Sequence, residues 1–260
     1  HCYRGEDGVY YLLEAPFEDS FNNYQTPYDV VPKGCKLLNG VTLGKPKILF
    51  FNTETTLSVS YHWGVWKQNL SHKQRVVESH LLSHAWAWND GDVIGSILSK
   101  DEVLENDPER LVLEVWSLFD NADILVAHNG KRFDVRKMNA YFLKYGLPPP
   151  SPYKVIDTLQ IAKNKFYLDF NSLEYLAKFL GVEQKIDTGG IQLWIDCQNG
   201  DQEALNTMLD YNKGDIKTLR EVYYRLIGWD NNGVNQSLYN ATHDMLCPHC
   251  ASDNVSSIEG

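Results

Sequence analysis

ILFFNTETT, Ile48 to Thr56, is an apolar run that ends in polar side chains. Four consecutive apolar residues after "KPK" at 45–47 suit a strand buried on both faces. Side chains alternate along a strand, so Asn52 and Glu54 project from one face at its carboxyl end. There a rigid element meets solvent. Two oxygen donors at i and i+2 suit a hard cation such as Mg²⁺ or Mn²⁺. Position 54 supplies a carboxylate; position 52 supplies only an amide.

The bulk numbers frame what such a site can belong to. A chain of 260 residues, 43% hydrophobic and 22% charged, suits one sizeable globular domain with appendages or two small ones. No apolar run approaches the roughly 20 residues of a membrane span. No secretory leader opens the chain, and His1 in place of Met is expected of a processed or trimmed chain. Five scattered cysteines do not form a disulfide framework, which points to a reducing compartment. The net charge of −10 weighs against a general nucleic-acid binder. An enzyme that holds divalent ions must nevertheless cluster carboxylates, so local charge decides.

Outward from Ile48 the elements alternate. "YHWGVW" (61–66) and "SHLLSHAWAWN" (79–89) read as antiparallel strands, and "PERLVLEVWSLFDNA" from Pro108 as a helix. "DILVAHN" (123–129) reads as a strand, and 130–147 as a helix ending near Gly146. "YKVID" (153–157) reads as a strand, followed by helices at 158–166, 172–180 and 201–227. This order predicts an α/β fold, a mixed sheet flanked by helices, over residues 47–228. Residues 1–46 read as an irregular arm or the remnant of an upstream module. Residues 229–260 read as a tail.

Two further acidic positions stand at element ends. Asp134 lies early in the helix after the "DILVAHN" strand, near its positive end. Tyr211 and Asp215, in "YNKGD", share a helix face at i and i+4. Each has a plain structural reading: a solvated strand end, a helix N-terminal charge, a surface pair. Their joint order is what distinguishes them.

That order resembles the DEDD superfamily of 3′–5′ exonucleases, DnaQ-like, with an RNase H-like fold. Its Asp-x-Glu motif is matched by Asn52-Thr53-Glu54. Its second motif is matched by Asn129 and Phe133-Asp134, and the Tyr-x-x-x-Asp of its tyrosine branch (DEDDy) by Tyr211 and Asp215. The histidine branch would need His at 210, which is Asp. The segment 156–182 resembles the family's stretch between its second and third motifs, 185–201 resembles stand-alone bacterial and phage members, and the likeness covers roughly 47–227. Proofreading domains of family-B polymerases share similar motifs, but 260 residues leave no room for a polymerase.

The resemblance implies two Mg²⁺ or Mn²⁺ ions held by positions 52, 54, 134 and 215. Tyr211 would aim a water, and nucleoside monophosphates would leave a DNA 3′ end, with RNA as the other possible substrate. Thr53, Thr55 and Asn129 would hold the terminal nucleotide, and Arg132 and Lys213 would contact phosphate. Phe133, or an aromatic of 61–66, would stack on a base; core packing is the competing fate of Phe133 and Trp63. The basic groups around Asp134 and Asp215 have the competing reading of a solvated helix face. The implied setting is the cytoplasm of a bacterial or phage-infected cell.

Asn52 departs from the family. A neutral amide cannot bridge two cations, and the loss slows such a reaction by roughly a thousandfold or more. The chain is then either an inactivated Asp→Asn form or a catalytically inert nucleic-acid-binding relative. Finally, "CPHC" (247–250) places Cys247 and Cys250 at the spacing of half a zinc site. In the stand-alone relatives the chain resembles, such a pair can open a Zn²⁺ ribbon; a truncated ribbon, a pair that borrows His243, His249, Cys2 or Cys35, and an unmetallated pair are the open outcomes.

Overall fold

The computed structural model describes residues 2–4, 10–14, 36–37, 46–64, 66–182, 190–230, 233–239 and 247–248. The chain divides into two compact units, residues 47–234 and residues 1–46 with 235–260. In the latter, β1 (Cys2–Arg4), β2 (Tyr10–Glu14) and β3 (Lys36–Leu37) form an antiparallel sheet in that order. An arm without regular structure was expected there. Strands of two to five residues leave too little alternation for periodicity to register.

The larger unit is built on a five-stranded sheet. Its strands are β4 (Ile48–Thr55), β7 (Leu81–Trp88), β8 (Ile94–Ile97), β9 (Ile124–Ala127) and β10 (Lys154–Asp157). Between the first two, β5 (Val59–Ser60) and β6 (Arg75–Val77) form a separate two-stranded ribbon. The sheet order is β10-β9-β4-β7-β8. β4 is central, antiparallel to β7 and parallel to β9; β10 is parallel to β9, and β8 antiparallel to β7. The mixed sheet follows from the chain order: two hairpin-like returns, then two helical crossovers.

Helices cover both faces: α1 (Lys100–Glu105), α2 (Glu109–Asp120), α3 (Asp134–Lys144), α4 (Thr158–Lys165), α5 (Leu173–Leu180), α6 (Gln192–Gln198) and α7 (Gln202–Leu226). Alternation along β4 assigns the faces. Phe51 meets Phe119 of α2 edge-on at 4.9 Å, and Phe50 meets Tyr223 of α7 edge-on at 5.3 Å. Leu49, Phe50 and Phe51 are fully buried, as a central strand between two helical layers requires. This is an α/β mixed sheet flanked by helices, as the element order predicted. Among the described residues no helix is long and apolar enough to cross a membrane.

Three local expectations are corrected. Among the described residues of 61–66 none lies in a strand, and Tyr61, Trp63 and Trp66 stand in solvent. Aromatic β-propensity expresses itself only where a pleated surface packs against something. β8 went unread because "IGSI" is short and half polar, although Ser99 and Glu102 spell a capping box for α1 just after it. The helix expected over 130–147 starts only at Asp134, after a four-residue turn.

Candidate active site

The carboxyl end of β4 is where sheet pairing changes. β9 pairs with β4 only at Ile48, Leu49 and Phe50, so one edge of β4 is uncovered from Phe51 onward. The loop that follows β9 fills this edge. Asn129 adopts a left-handed conformation, φ +67°. A Cβ on Gly130 would lie 2.4 Å from that of Ala127, so no side chain fits there. Asp157 pins the loop from the next strand: Oδ1 accepts from Asn129 N at 2.9 Å and Oδ2 from Lys131 N at 3.2 Å. The same carboxylate caps α4 through Leu159 N at 3.1 Å. His128 reaches Thr158 Oγ1 and Asn171 O, each at 2.9 Å.

Held in this way, the first residue of α3 meets the middle of the Asn52-Thr53-Glu54 motif. Thr53 N donates to Asp134 Oδ1 at 3.1 Å, and Thr53 Oγ1 donates to the same oxygen at 2.5 Å. Asp134 is 3% exposed. Burial pushes its carboxyl up to about 6, against the pull of the Thr53 hydrogen bonds; nearby Asp157 adds to the rise.

On the other face of β4, α7 supplies the second link. Asn52 Nδ2 donates to Asn212 Oδ1 at 3.0 Å, and Asn212 Nδ2 donates to Ser83 Oγ at 2.9 Å. Ser83 stands opposite Glu54 in the β4–β7 ladder, so both face α7. Asn212 is fully buried, and Asp215, buried too, lies on the same stripe of the helix. Tyr211 is half-buried, its ring edge-on to Trp194 of α6 at 6.1 Å. Two hydrogen bonds thus tie the first motif to the second, and one more ties it to the helix of the third.

The four-ligand cluster expected from sequence is not preassembled. Among the described residues no group of three or more His, Cys, Asp or Glu side chains is placed to hold a metal ion. The cause is visible in β4. Position 52 is an amide engaged with Asn212, and Asp134 serves Thr53, whose side chain faces away from Asn52 and Glu54. The donors that are present are all hard oxygens, the type Mg²⁺ and Mn²⁺ take.

The remaining predicted residues fall into two groups. Thr53 is buried and Thr55 and Asn129 are half-buried beside the site; Arg132 is exposed and Lys213 half-buried. Phe133 is 45% exposed and Trp63 fully exposed, so core packing is excluded for both. Lys137 donates to Ser79 O at 2.7 Å, and Arg220 to Gly91 O at 2.7 Å, structural contacts rather than open phosphate ligands. Cys247 is half-buried, and Cys250 lies outside the described residues. Sequence reading missed Asn212, Ser83 and Asp157. A polar residue on the apolar stripe of α7, and an Asp closing a strand before a helix, were the available signals.

Residues 70–227 match the family model RNase_H_2, described as RNase_H superfamily. The chain belongs to this superfamily. No curated protein matches it. Among solved structures, this RNase H superfamily chain is similar to the family B DNA polymerase from the hyperthermophilic archaeon Pyrobaculum calidifontis, with a TM-score of 0.53 and 14% identity. The likeness covers 84% of this chain and 29% of that polymerase chain, and it concerns the fold.

Proposed function

We propose that this chain is a metal-dependent 3′–5′ exonuclease of the DEDDy type, acting on single-stranded DNA and held back by Asn52. One observation carries the reading: Asp134 is bonded to Thr53, and Asn212, between Tyr211 and Asp215, is bonded to Asn52. Three segments far apart in sequence therefore meet at one strand end. The family fold and the polymerase likeness support the same direction.

In this reading Glu54, Asp134 and Asp215, which the structure does not gather into one group, would hold divalent cations once drawn together, with Asn52 a weakened fourth ligand. Bound Mg²⁺ or Mn²⁺ supplies a nucleophile at neutral pH and neutralises charge on the phosphate. Thr53 fixes the Asp134 carboxylate. Tyr211, one turn from Asp215, orients the attacking water through its hydroxyl. Asn129, Thr55 and Arg132 border the strand end where a terminal nucleotide would lie.

The test is Asn52→Asp. Its expected outcome is Mg²⁺- or Mn²⁺-dependent release of nucleoside monophosphates from a linear single strand, with circular single strands uncut. Loss of several kcal/mol at position 52 predicts a gain of roughly a thousandfold. Digestion of RNA but not DNA would reassign the substrate. Absence of any digestion, with no Mn²⁺ bound by calorimetry, would leave the second reading: an inert nucleic-acid-binding module. The observation that favours that module is the settled amide pair Asn52–Asn212.

A further inference from the structure

The segment between Glu54 and Glu78 leaves the site strand β4 and returns to β7. Its 23 residues contain Lys67, Lys73 and Arg75 and no carboxylate, in a chain of net charge −10. Three large aromatic side chains stand on it in solvent: Tyr61 at 77%, Trp66 at 88% and Trp63 at 100% exposure. Burial normally claims side chains of this size, and here three within six residues of sequence stand exposed.

The segment is built rather than loose. β5 and β6 pair antiparallel, Val59 opposite Val77 and Ser60 opposite Arg75. Tyr61 N donates to Gln74 O at 2.8 Å, and Gln74 Nε2 donates back to Tyr61 O at 3.2 Å. At its base Thr56 N donates to His80 O at 2.9 Å, and His80 N to Thr56 Oγ1 at 3.0 Å, both residues buried. Leu57 N is fixed by Gln198 Oε1 of α6 at 3.2 Å. A rigid base two residues from Glu54 thus carries an aromatic, cationic tip.

We infer that the β5–β6 ribbon is a single-stranded nucleic-acid rest, on which unpaired bases stack against Trp63 and Trp66 while Lys67 and Lys73 face the phosphates. Interleaved aromatic and cationic groups are the chemistry that grips a single strand without reading its sequence. A protein surface as acidic as the rest of this chain would itself repel a polyanion, so local positive charge at the tip is decisive. The inference rests on the nuclease reading and assigns it a holding element that is separate from the reacting groups.

The experiment is fluorescence anisotropy of a labelled oligo(dT) with the full chain in EDTA, where no cleavage competes. The double variant Trp63→Ala/Trp66→Ala is expected to bind tenfold or more weakly, with an unchanged unfolding midpoint. Trp63→Phe/Trp66→Phe is expected to recover most of the affinity. In the Asn52→Asp background, the Ala pair should raise KM and spare kcat. Equal binding by the parent chain and the Ala pair would overturn the inference and assign the tip to a protein partner. If Asn52→Asp never cleaves while the anisotropy loss persists, the nuclease reading fails and the ribbon assignment stands. If the parent chain binds no single strand while Asn52→Asp cleaves one, the ribbon assignment falls and the nuclease reading stands.

Discussion

Asn212 sits between two partners of different versatility. Asn52 now gives it an N–H; Ser83, which accepts from it, carries a hydroxyl that can equally donate. With aspartate at 52, Asn212 turns its amide over, donates to the carboxylate, and accepts from Ser83. The pocket therefore suits either residue, and Asn52→Asp is expected to fold normally. Asn212→Ala strands the Asn52 and Ser83 groups in a buried setting and should cost about 1–3 kcal/mol, read by chemical denaturation. Asp134→Asn keeps an oxygen for Thr53 and removes a buried charge. In metal-free buffer at neutral pH it should raise the thermal midpoint, by about 1–3 kcal/mol of stability, while abolishing any cleavage in the Asn52→Asp background. The end positions of Glu54 and Asp134 were legible in sequence; Asp215, expected at an element end as well, stands within α7. Asn212 and Asp157 were not legible, because what each joins exists only once two elements dock.

At the scale of elements, Arg110 of α2 ties three neighbours together. Its Nε and a terminal nitrogen grip both oxygens of Glu102 at 2.8 Å, a bidentate hold on α1. The guanidinium also reaches Glu114 Oε1 and Ser96 Oγ at 2.9 Å and Ile97 O at 2.8 Å. Glu114 completes the chain to buried His84 of β7 at 2.9 Å. Arg110 holds Glu102 down to about 2, and the His84 hydrogen bond, foremost among several, holds Glu114 down to about 2. Both carboxyls lie below their ordinary 4.5, so their contribution is complete above that pH and fades as pH falls toward 2. Arg110→Met should cost about 1–2 kcal/mol at pH 7, discounted for partial exposure, and the gap to the parent chain should close on acidification. Thermal unfolding across pH 7 to 2.5 checks it. β4, β7, β9, α2, α3 and α7 were readable because long apolar or 3.6-periodic stretches announce them. β8 and α1 were not, being short and held by such polar ties instead of their own hydrophobic pattern.

At the scale of the whole molecule, the charge of −10 and the cationic ribbon predict an affinity for single strands that few phosphates sustain. With two or three cations engaged, log K should fall against log salt with a slope of about −2, a shallow dependence for a nucleic-acid binder. A slope several times steeper would place the contact surface elsewhere. The unit 47–234 carries the sheet and its helices on both faces, so residues 47–234 alone are expected to unfold in one cooperative transition.

The β4–β7 ladder slips by one residue just past Glu54: Glu54 faces Ser83, but Thr55 faces Leu81, and Leu82 is the extra residue. Such a step bends the strand and sharpens its twist, so the direction in which the chain departs toward the β5–β6 ribbon is set immediately beside the Glu54 carboxylate.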